Sequence, residues 1–424
     1  MIDINVIRND KAAVKAALEK RGYDADLDGI LKLDEERRAV IGRTEALKAE
    51  KNKVSADVPG LKKAGENVEP VFARMRELGN EISANDEKLK AVEEKLRHEL
   101  LCLPNMPDPD VVAGGKENNE IVKVFGKKPE FDFPIKNHVE LCEGLKLIDY
   151  ERGVKLAGNG SWLYTDRGAI IEWALLNYFI KTHLKDGYKF ILPPHMLNYD
   201  CGLGAGQFPK FEDDVYRIET ADDAASRRFM LPTAETALVN IYRGEILASD
   251  ELPKKLFAYT PCYRKEAGSY RAEERGMIRG HQFDKVEMVQ VTKPEQSKAA
   301  FEELVGKACA LVEGLGLHYR LSKLAAGDCS ASMARTYDIE VWIPSMGIYK
   351  EVSSVSNAND YQARRNMTRY RAADGSIGYV HTLNGSGLAT SRILPAIVEQ
   401  FQQKDGSVRV PKVLQEFVGA EVIK

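Results

Sequence analysis

Two stretches of the chain repeat their apolar positions at helical spacing and differ in texture from everything after them. Leu33, Val40, Leu47 and Val54 recur every seventh residue. Leu78, Ile82, Asn85, Leu89, Val92, Leu96 and Leu103 step by alternating fours and threes, with only the last step doubled. A repeat of this kind is the seam of a coiled coil. From about residue 27 to 103 charges of both signs fill the remaining positions, and Gly and Pro are sparse outside one short stretch. There Val58-Pro59-Gly60 and Gly65 are expected to break the helix. The pattern therefore predicts an antiparallel helical hairpin, a coiled-coil arm over residues 27–103.

After Leu103 the pattern changes. Residues 104–134, rich in Pro, Gly, Asn and Asp, read as a linker and loop. Farther on, Asp166 is placed to cap a long helix running to about Leu184, and Pro294 opens another that Gly314 ends. Strand-like alternation around residues 256–264, 281–291 and 337–343 predicts strands. Strands that follow strands, with helices outside them, predict an α+β fold on an antiparallel β-sheet flanked by helices rather than a doubly wound sheet. The expected division is residues 1–108, which hold the hairpin, and 109–424.

Charge narrows the partners. The 424 residues carry 61 Lys and Arg against 64 Asp and Glu, a net −3, which excludes a protein that coats polyanions by bulk charge. The hairpin tip is modestly basic: Lys48, Lys51, Lys53, Lys62, Lys63, Arg74 and Arg76 face Glu50, Asp57, Glu66 and Glu69. By charge alone a solvated coiled-coil surface is the favoured reading, with a lever touching a phosphate backbone as the other. No window is apolar enough to cross a membrane. The opening MIDINVIRND lacks an apolar signal core and reads as mature, cytoplasmic sequence. Six scattered cysteines without a CxxC pair, and seven histidines without a cluster, argue against disulfides and a zinc site. Any metal is expected to be a hard cation on oxygen ligands.

Phosphate-binding loops of the common kinds are absent, and Gly202-Leu203-Gly204-Ala205-Gly206 reads as a flexible loop. A different apparatus lies in Cys262-Tyr263-Arg264-Lys265-Glu266-Ala267-Gly268 and Arg275-Gly276-Met277-Ile278-Arg279-Gly280-His281-Gln282-Phe283-Asp284-Lys285-Val286-Glu287. As two antiparallel strands, these place Arg264 with Glu266, and Phe283 with Glu287, on shared faces. A guanidinium suits phosphate, a ring suits a base, and carboxylates suit an ammonium or exocyclic amine. A salt-bridged sheet face is about as good a reading of the spacing alone. In Asn384-Gly385-Ser386-Gly387-Leu388-Ala389-Thr390-Ser391-Arg392, two glycines precede a helix that carries Arg392 near its start, which by itself is a weak signal.

Taken with Pro232-Thr233-Ala234-Glu235-Thr236, Glu351-Val352-Ser353-Ser354 and Gln362-Ala363-Arg364-Arg365, these stretches resemble the seryl-tRNA synthetases, class II aminoacyl-tRNA synthetases, along essentially the whole chain. The resemblance implies a tRNA-binding hairpin domain, a class II catalytic domain, and ATP-dependent activation of L-serine for transfer to the 3′ end of tRNA-Ser. It extends to selenocysteine tRNA where one exists. By the same resemblance Arg264 holds the ATP α-phosphate and the serine carboxylate, and Arg392 the γ-phosphate. Lys265, Glu266, Arg279, Gly280, Phe283, Val352 and Ser353 complete the ATP site, with Glu266 beside the adenine amino group and Phe283 stacked on the ring. Glu351 and Ser354 are the implied Mg²⁺ ligands. Thr233, Ala234, Glu235, Glu287, Asn384 and Ser386 form the implied serine pocket. The segment from Trp173 to Pro193-Pro194 is similar to the first class II motif, which implies a homodimer.

The sequence also departs from the pattern. Trp162 stands where the family carries a basic residue, Tyr263 where Phe is usual, and Gly280 where a larger residue is common; Ser269 to Glu274 and Thr390-Ser391 differ as well. None removes a group the reaction needs. Two other readings stay open: a paralogue that activates serine for an acceptor other than tRNA, and a catalytically dead RNA-binding protein.

Overall fold

The computed structural model describes residues 1–218, 227–266 and 276–424. It divides into two units, one of Ile2–Ala16 with Asp24–Leu103, the other of Met1, Ala17–Tyr23 and Pro104–Lys424.

The first unit is built on two long helices, α1 (Leu27–Lys63) and α2 (Glu69–Cys102). Ion pairs Glu36–Lys88 at 3.0 Å, Arg43–Glu81 at 3.2 Å and Glu50–Arg74 at 2.7 Å climb one helix while descending the other, so the pair is antiparallel. Val40 and Leu47 of α1 are buried, as are Leu78, Val92, Leu96 and Leu100 of α2. Each such side chain contributes about 1.5–3 kcal/mol, against about 0.2–1 kcal/mol for an exposed ion pair, so the apolar seam holds the hairpin and the charges tune it. The tip differs from the expected break. α1 runs through Pro59 and Gly60 to Lys63, and the chain turns only at Ala64–Val68. Gly65, at φ +70°, donates its N–H to Lys62 C=O, and Glu66 donates to Leu61 C=O, the paired closure of a Schellman end. The glycine, with its freedom to turn left-handed, stops the helix where the proline does not.

In the second unit the eight-stranded sheet runs in the order β1-β5-β6-β7-β8-β4-β3-β2. These strands are β1 (Glu120–Phe125), β2 (Lys189–Ile191), β3 (Lys254–Tyr263), β4 (Gln282–Thr292), β5 (Tyr319–Lys323), β6 (Arg335–Ile343), β7 (Ile348–Asn357) and β8 (His381–Ala389). Only the β2–β3 pair is parallel. The expected antiparallel sheet is thus present, and the expected linker holds its edge strand, β1. Exposed Ile121, Val122 and Val124 gave that strand no buried face for the alternation to report.

Helices α3 (Arg167–Lys185), α6 (Ser297–Gly314) and α8 (Thr390–Gln400) cover the sheet. Leu304, Ala308, Leu311, Ile393 and Ile397 bury themselves in one core with Ile339, Val341, Val355 and Leu383 of the strands. Asp166 occupies the N-cap position of α3, yet its side chain accepts no capping bond there, because φ +42° and ψ −111° lie outside the extended geometry that capping needs. Residues 199–204 form a short helix, α4 (Tyr199–Gly204), rather than a flexible loop. Its glycines are packing positions: a Cβ on Gly202 would run into Phe208 and one on Gly204 into Asn240. Two further short helices, α5 (Ala234–Leu238) and α7 (Tyr361–Asn366), frame the cleft described next.

Candidate active site

Arg264 just after β3, the first half of β4, the middle of β7 and β8, and the start of α8 line a cleft of about 460 Å³. At one end lies a closed acidic pocket. The Thr233 hydroxyl accepts the Glu235 N–H at 3.3 Å and so caps α5, which leaves the Glu235 side chain in the wall. Gln362 Nε2, on α7, donates to Glu235 Oε1 at 2.8 Å, and Thr382 Oγ1 donates to Gln362 Oε1 at 2.6 Å. Burial first, and then the neighbouring Glu287 carboxylate, push the Glu235 carboxyl up to about 7, with the Gln362 bond, Lys285 and Arg264 opposing. Glu287 is 1 % exposed, accepts from Asn384 Nδ2 at 3.3 Å and forms an ion pair with Lys285. The Ser386 hydroxyl is buried and has no hydrogen-bond partner among the described residues. A buried polar atom left in that state marks a place for a ligand's polar group.

Register brings these residues together. β4 pairs Glu287 with Ser386 and Val289 with Asn384 of β8. Between Ser386 and Ala389 the β8 strand holds an extra residue, with Leu388 at φ +81°, so the strand bulges just before α8 begins.

The other end is open and cationic. Arg264 Nε donates to Pro232 C=O at 3.2 Å, and its guanidinium lies 5.1 Å from the Phe283 ring centre. Arg279 Nε donates to Glu266 Oε2 at 2.6 Å. Arg392, in the first turn of α8, donates to Glu351 C=O at 2.8 Å and to Ile278 C=O at 3.2 Å. The expectation that Arg264 and Glu266 share a strand face is corrected: β3 ends at Tyr263, and Glu266 turns at φ +50°. Both nevertheless line the cleft. Phe283, Lys285 and Glu287 do share a face of β4, and all three line it.

Glu351 and Ser354 are three residues apart, a spacing that a regular strand would send to opposite faces. β6 pairs Ile339 with Ser353 and Glu340 with Glu351, so Val352 is an extra residue. That bulge turns both side chains into the cleft, with Val352 between them. Arg279, Gly280, Asn384, Ser386 and Arg392 line the cleft as well. Ala234, Lys265 and Ser353 do not. Ala234 and Ser353 are buried behind the wall, where Ser353 Oγ donates to Ser386 C=O at 2.6 Å; Lys265 donates its backbone N–H to Asp214 C=O at 3.0 Å. Ala267, Gly268, Arg275 and the segment Ser269 to Glu274 lie outside the described residues.

Two family descriptions match the chain: "Seryl-tRNA synthetase N-terminal domain" over residues 1–107, and "tRNA synthetase class II core domain (G, H, P, S and T)" over 216–401. A protein named serine–tRNA ligase 2 from Clostridium acetobutylicum is 60% identical over 423 residues, 99% of this chain and 100% of the relative. The serine–tRNA ligase of Thermodesulfovibrio yellowstonii is 44% identical over 430 residues, covering 100% of both chains. Among solved structures, the seryl-tRNA synthetase of Pyrococcus horikoshii complexed with ATP superposes with a TM-score of 0.92 at 32% identity, covering 100% of this chain and 99% of that one. The chain belongs to the seryl-tRNA synthetase family.

Within that family, two departures noted in the sequence are one feature. A Cβ on Gly280 would run into the Trp162 ring, so the missing side chain makes room for the tryptophan rather than widening the arginine end of the cleft. His281 N–H donates to Gly160 C=O at 3.2 Å, and Arg264 N–H to His281 C=O at 2.9 Å, so the Gly160–Trp162 segment braces the backbone where Arg264 leaves β3. Thr390 is also accounted for, since its hydroxyl donates to the buried Glu172 carboxyl at 2.5 Å.

Sequence reasoning missed Lys285, Gln362 and Asp338. Lys285 had a signal, because it sits between Phe283 and Glu287 on one face. Asp338 pairs across the sheet with Ser354 and accepts its hydroxyl hydrogen at 2.7 Å, which leaves the Ser354 lone pairs free. Burial, and then Glu351, hold the Asp338 carboxyl well above the usual range. For a hard cation the donors fit: Glu351 and Ser354 offer oxygen, with Asp338 fixing the hydroxyl. Among the described residues no group of three or more His, Cys, Asp or Glu is placed to hold a metal ion.

Proposed function

We propose that this chain is a serine–tRNA ligase, which condenses L-serine with ATP to seryl-adenylate and transfers the seryl group to the 3′ end of tRNA-Ser, and of selenocysteine tRNA where one exists. One observation carries the reading: a buried pocket of carboxylates and a partnerless hydroxyl at Ser386 opens directly onto the Arg264–Phe283 pair. Serine presents an ammonium, a hydroxyl and a carboxylate, and these three meet Glu287 with Glu235, Ser386, and Arg264 in turn. A pocket that must satisfy a buried hydroxyl disfavours alanine strongly.

In the first step the serine carboxylate oxygen attacks the α-phosphorus. The bond to the bridging oxygen breaks, and pyrophosphate leaves. Arg264 orients both reactants and balances charge on the α-phosphate, while Arg392 holds the γ-phosphate. Phe283 stacks on adenine, Glu266 accepts from its amino group, and the main chain at Arg279 and Gly280 walls the base. Mg²⁺, held by Glu351 and Ser354, would neutralise phosphate charge. In the second step the terminal ribose hydroxyl takes the seryl group and AMP leaves. Neither step needs a protein nucleophile, and positioning of this kind supplies up to about 7–11 kcal/mol.

Residues 1–108 serve as the tRNA-binding domain and 109–424 as the catalytic domain. Exposed Lys48, Lys53 and Lys63 near the hairpin tip support contact with the tRNA backbone, whereas Arg74 and Arg76 are engaged by Glu50 and Glu69. Trp173, Leu184 and Leu192 expose half or more of their surface on and after α3, which supports a homodimer through that face. Among the described residues no helix is long and apolar enough to cross a membrane, and the cytoplasm is the compartment that holds tRNA and ATP together. Serine-dependent exchange of labelled pyrophosphate into ATP is the test. Its absence from the purified protein overturns the reading, and loss of tRNA-Ser charging with exchange retained, after deletion of residues 34–97, is the result expected for the arm.

A further inference from the structure

One buried charge in the cleft wall has no part in the chemistry above. Lys285 is 8 % exposed, and a lysine that deep is tolerated only beside counter-charges. Its Nζ donates to Thr233 Oγ1 at 2.7 Å and pairs with Glu287. The Thr233 hydroxyl spends its lone pairs on Lys285 and on the Glu235 N–H, which turns its one hydrogen toward Glu287 Oε2, 3.5 Å away. A single ammonium therefore orders two of the groups that would meet serine, Thr233 and Glu287, and lies beside a third, Glu235. The charges tell the same story: when Glu235 is ionised, two buried carboxylates, Glu235 and Glu287, face one buried lysine, and the remaining deficit is the one positive charge a substrate ammonium brings.

We propose that Lys285 determines the affinity for serine, by fixing and half-neutralising the Thr233–Glu235–Glu287 floor so that one further ammonium, and no more, completes it. The inference rests on reading the pocket as the serine site. Lys285 is a positioning residue here, acting through Thr233 and Glu287. Without it, Glu235 faces Glu287 on β4 with Arg264, just after β3, as the remaining cation that opposes the repulsion, beside the neutral donors Gln362, on α7, and Asn384, on β8.

The experiment is pyrophosphate exchange by full-length Lys285→Met, with serine and ATP varied separately across pH and a melting curve on each sample. The KM for serine is expected to rise at least about 30-fold, the cost of removing one partner from a buried charge pair. The KM for ATP should stay within about twofold, because nucleotide contacts lie at the other end of the cleft. The pH below which serine binding weakens should move upward from its position in the unsubstituted protein. If Lys285→Met does not fold, Lys285→Gln, which keeps a donor for Thr233 and removes the charge, carries the same measurement. An unchanged KM for serine, or equal rises in both constants, overturns the proposal. Absence of serine-dependent exchange in the unsubstituted protein would instead remove the serine reading itself, so the two failures are distinguishable.

Discussion

The two ends of the cleft use the same pairing of cation and carboxylate in opposite surroundings. At the acidic end Glu235, Glu287 and Lys285 are each at most 9 % exposed, and burial dominates, lifting the Glu235 carboxyl to about 7. At the arginine end the Arg392 and Glu351 side chains are 31 % and 45 % exposed and sit 3.5 Å apart. Water screens that pair, and its worth lies in where it holds the guanidinium rather than in stability. The difference suits two ligands. A small zwitterion must be told from near neighbours by groups that cannot fall back on water. A triphosphate announces itself by charge, and its pyrophosphate product has to leave.

The hardest test of this contrast is Arg264, which stands at the junction. Arg264→Ala should cut exchange roughly 10³-fold while the melting temperature barely moves; activity within tenfold of normal would refute the junction role. Arg392→Ala should act at the open end alone. A loss of roughly 10²-fold in kcat/KM for ATP, with the serine KM unchanged, is expected, and an equal effect on serine would erase the distinction between the ends.

Protonation probes the closed end. A carboxyl raised to about 7 is protonated below that pH, where it no longer attracts an ammonium. The serine KM should therefore climb as pH falls below about 7, approaching tenfold per unit. The stability linkage has the same origin: the folded state holds a proton that the unfolded state gives up near 4.5, so this stabilisation is present at low pH and lost as pH rises through 7. Glu235→Gln should flatten both dependences, and titrations of serine affinity that keep their acid limb in that variant would assign it elsewhere.

The smallest effect belongs to the brace behind the open end. Gly280→Ala forces a methyl group into the Trp162 ring, a strain of about 1–3 kcal/mol. A rise of several-fold in the ATP KM is expected, and Trp162→Ala in the same chain should reverse it. Additive losses in the double variant would show that the two residues do not meet.

Much of this was legible in the chain. The hairpin seam could be read because a 3.5-residue repeat reports on one helix facing one neighbour. β1 could not, since both its faces lack a burial pattern. Among the site residues, Phe283 and Glu287 were legible by alternation, and Lys285 was equally so once its place between them is noticed. Glu351 with Ser354 was legible only through resemblance, because a bulge at Val352 breaks the spacing rule.

Local periodicity, then, determined the arm and the antiparallel sheet, and the resemblance of a few short stretches to the family supplied the residues expected to meet ATP and serine. Tertiary structure decided which of them meet. Glu287 lies 97 positions before Asn384 and 54 after Thr233, and only strand register and the capping of α5 bring the three into one pocket. The same holds for Trp162 and Gly280, two departures in the sequence that become a single contact in the fold. A periodic pattern records the face of its own element; the partner across the gap is set by packing, which no run of neighbouring residues contains.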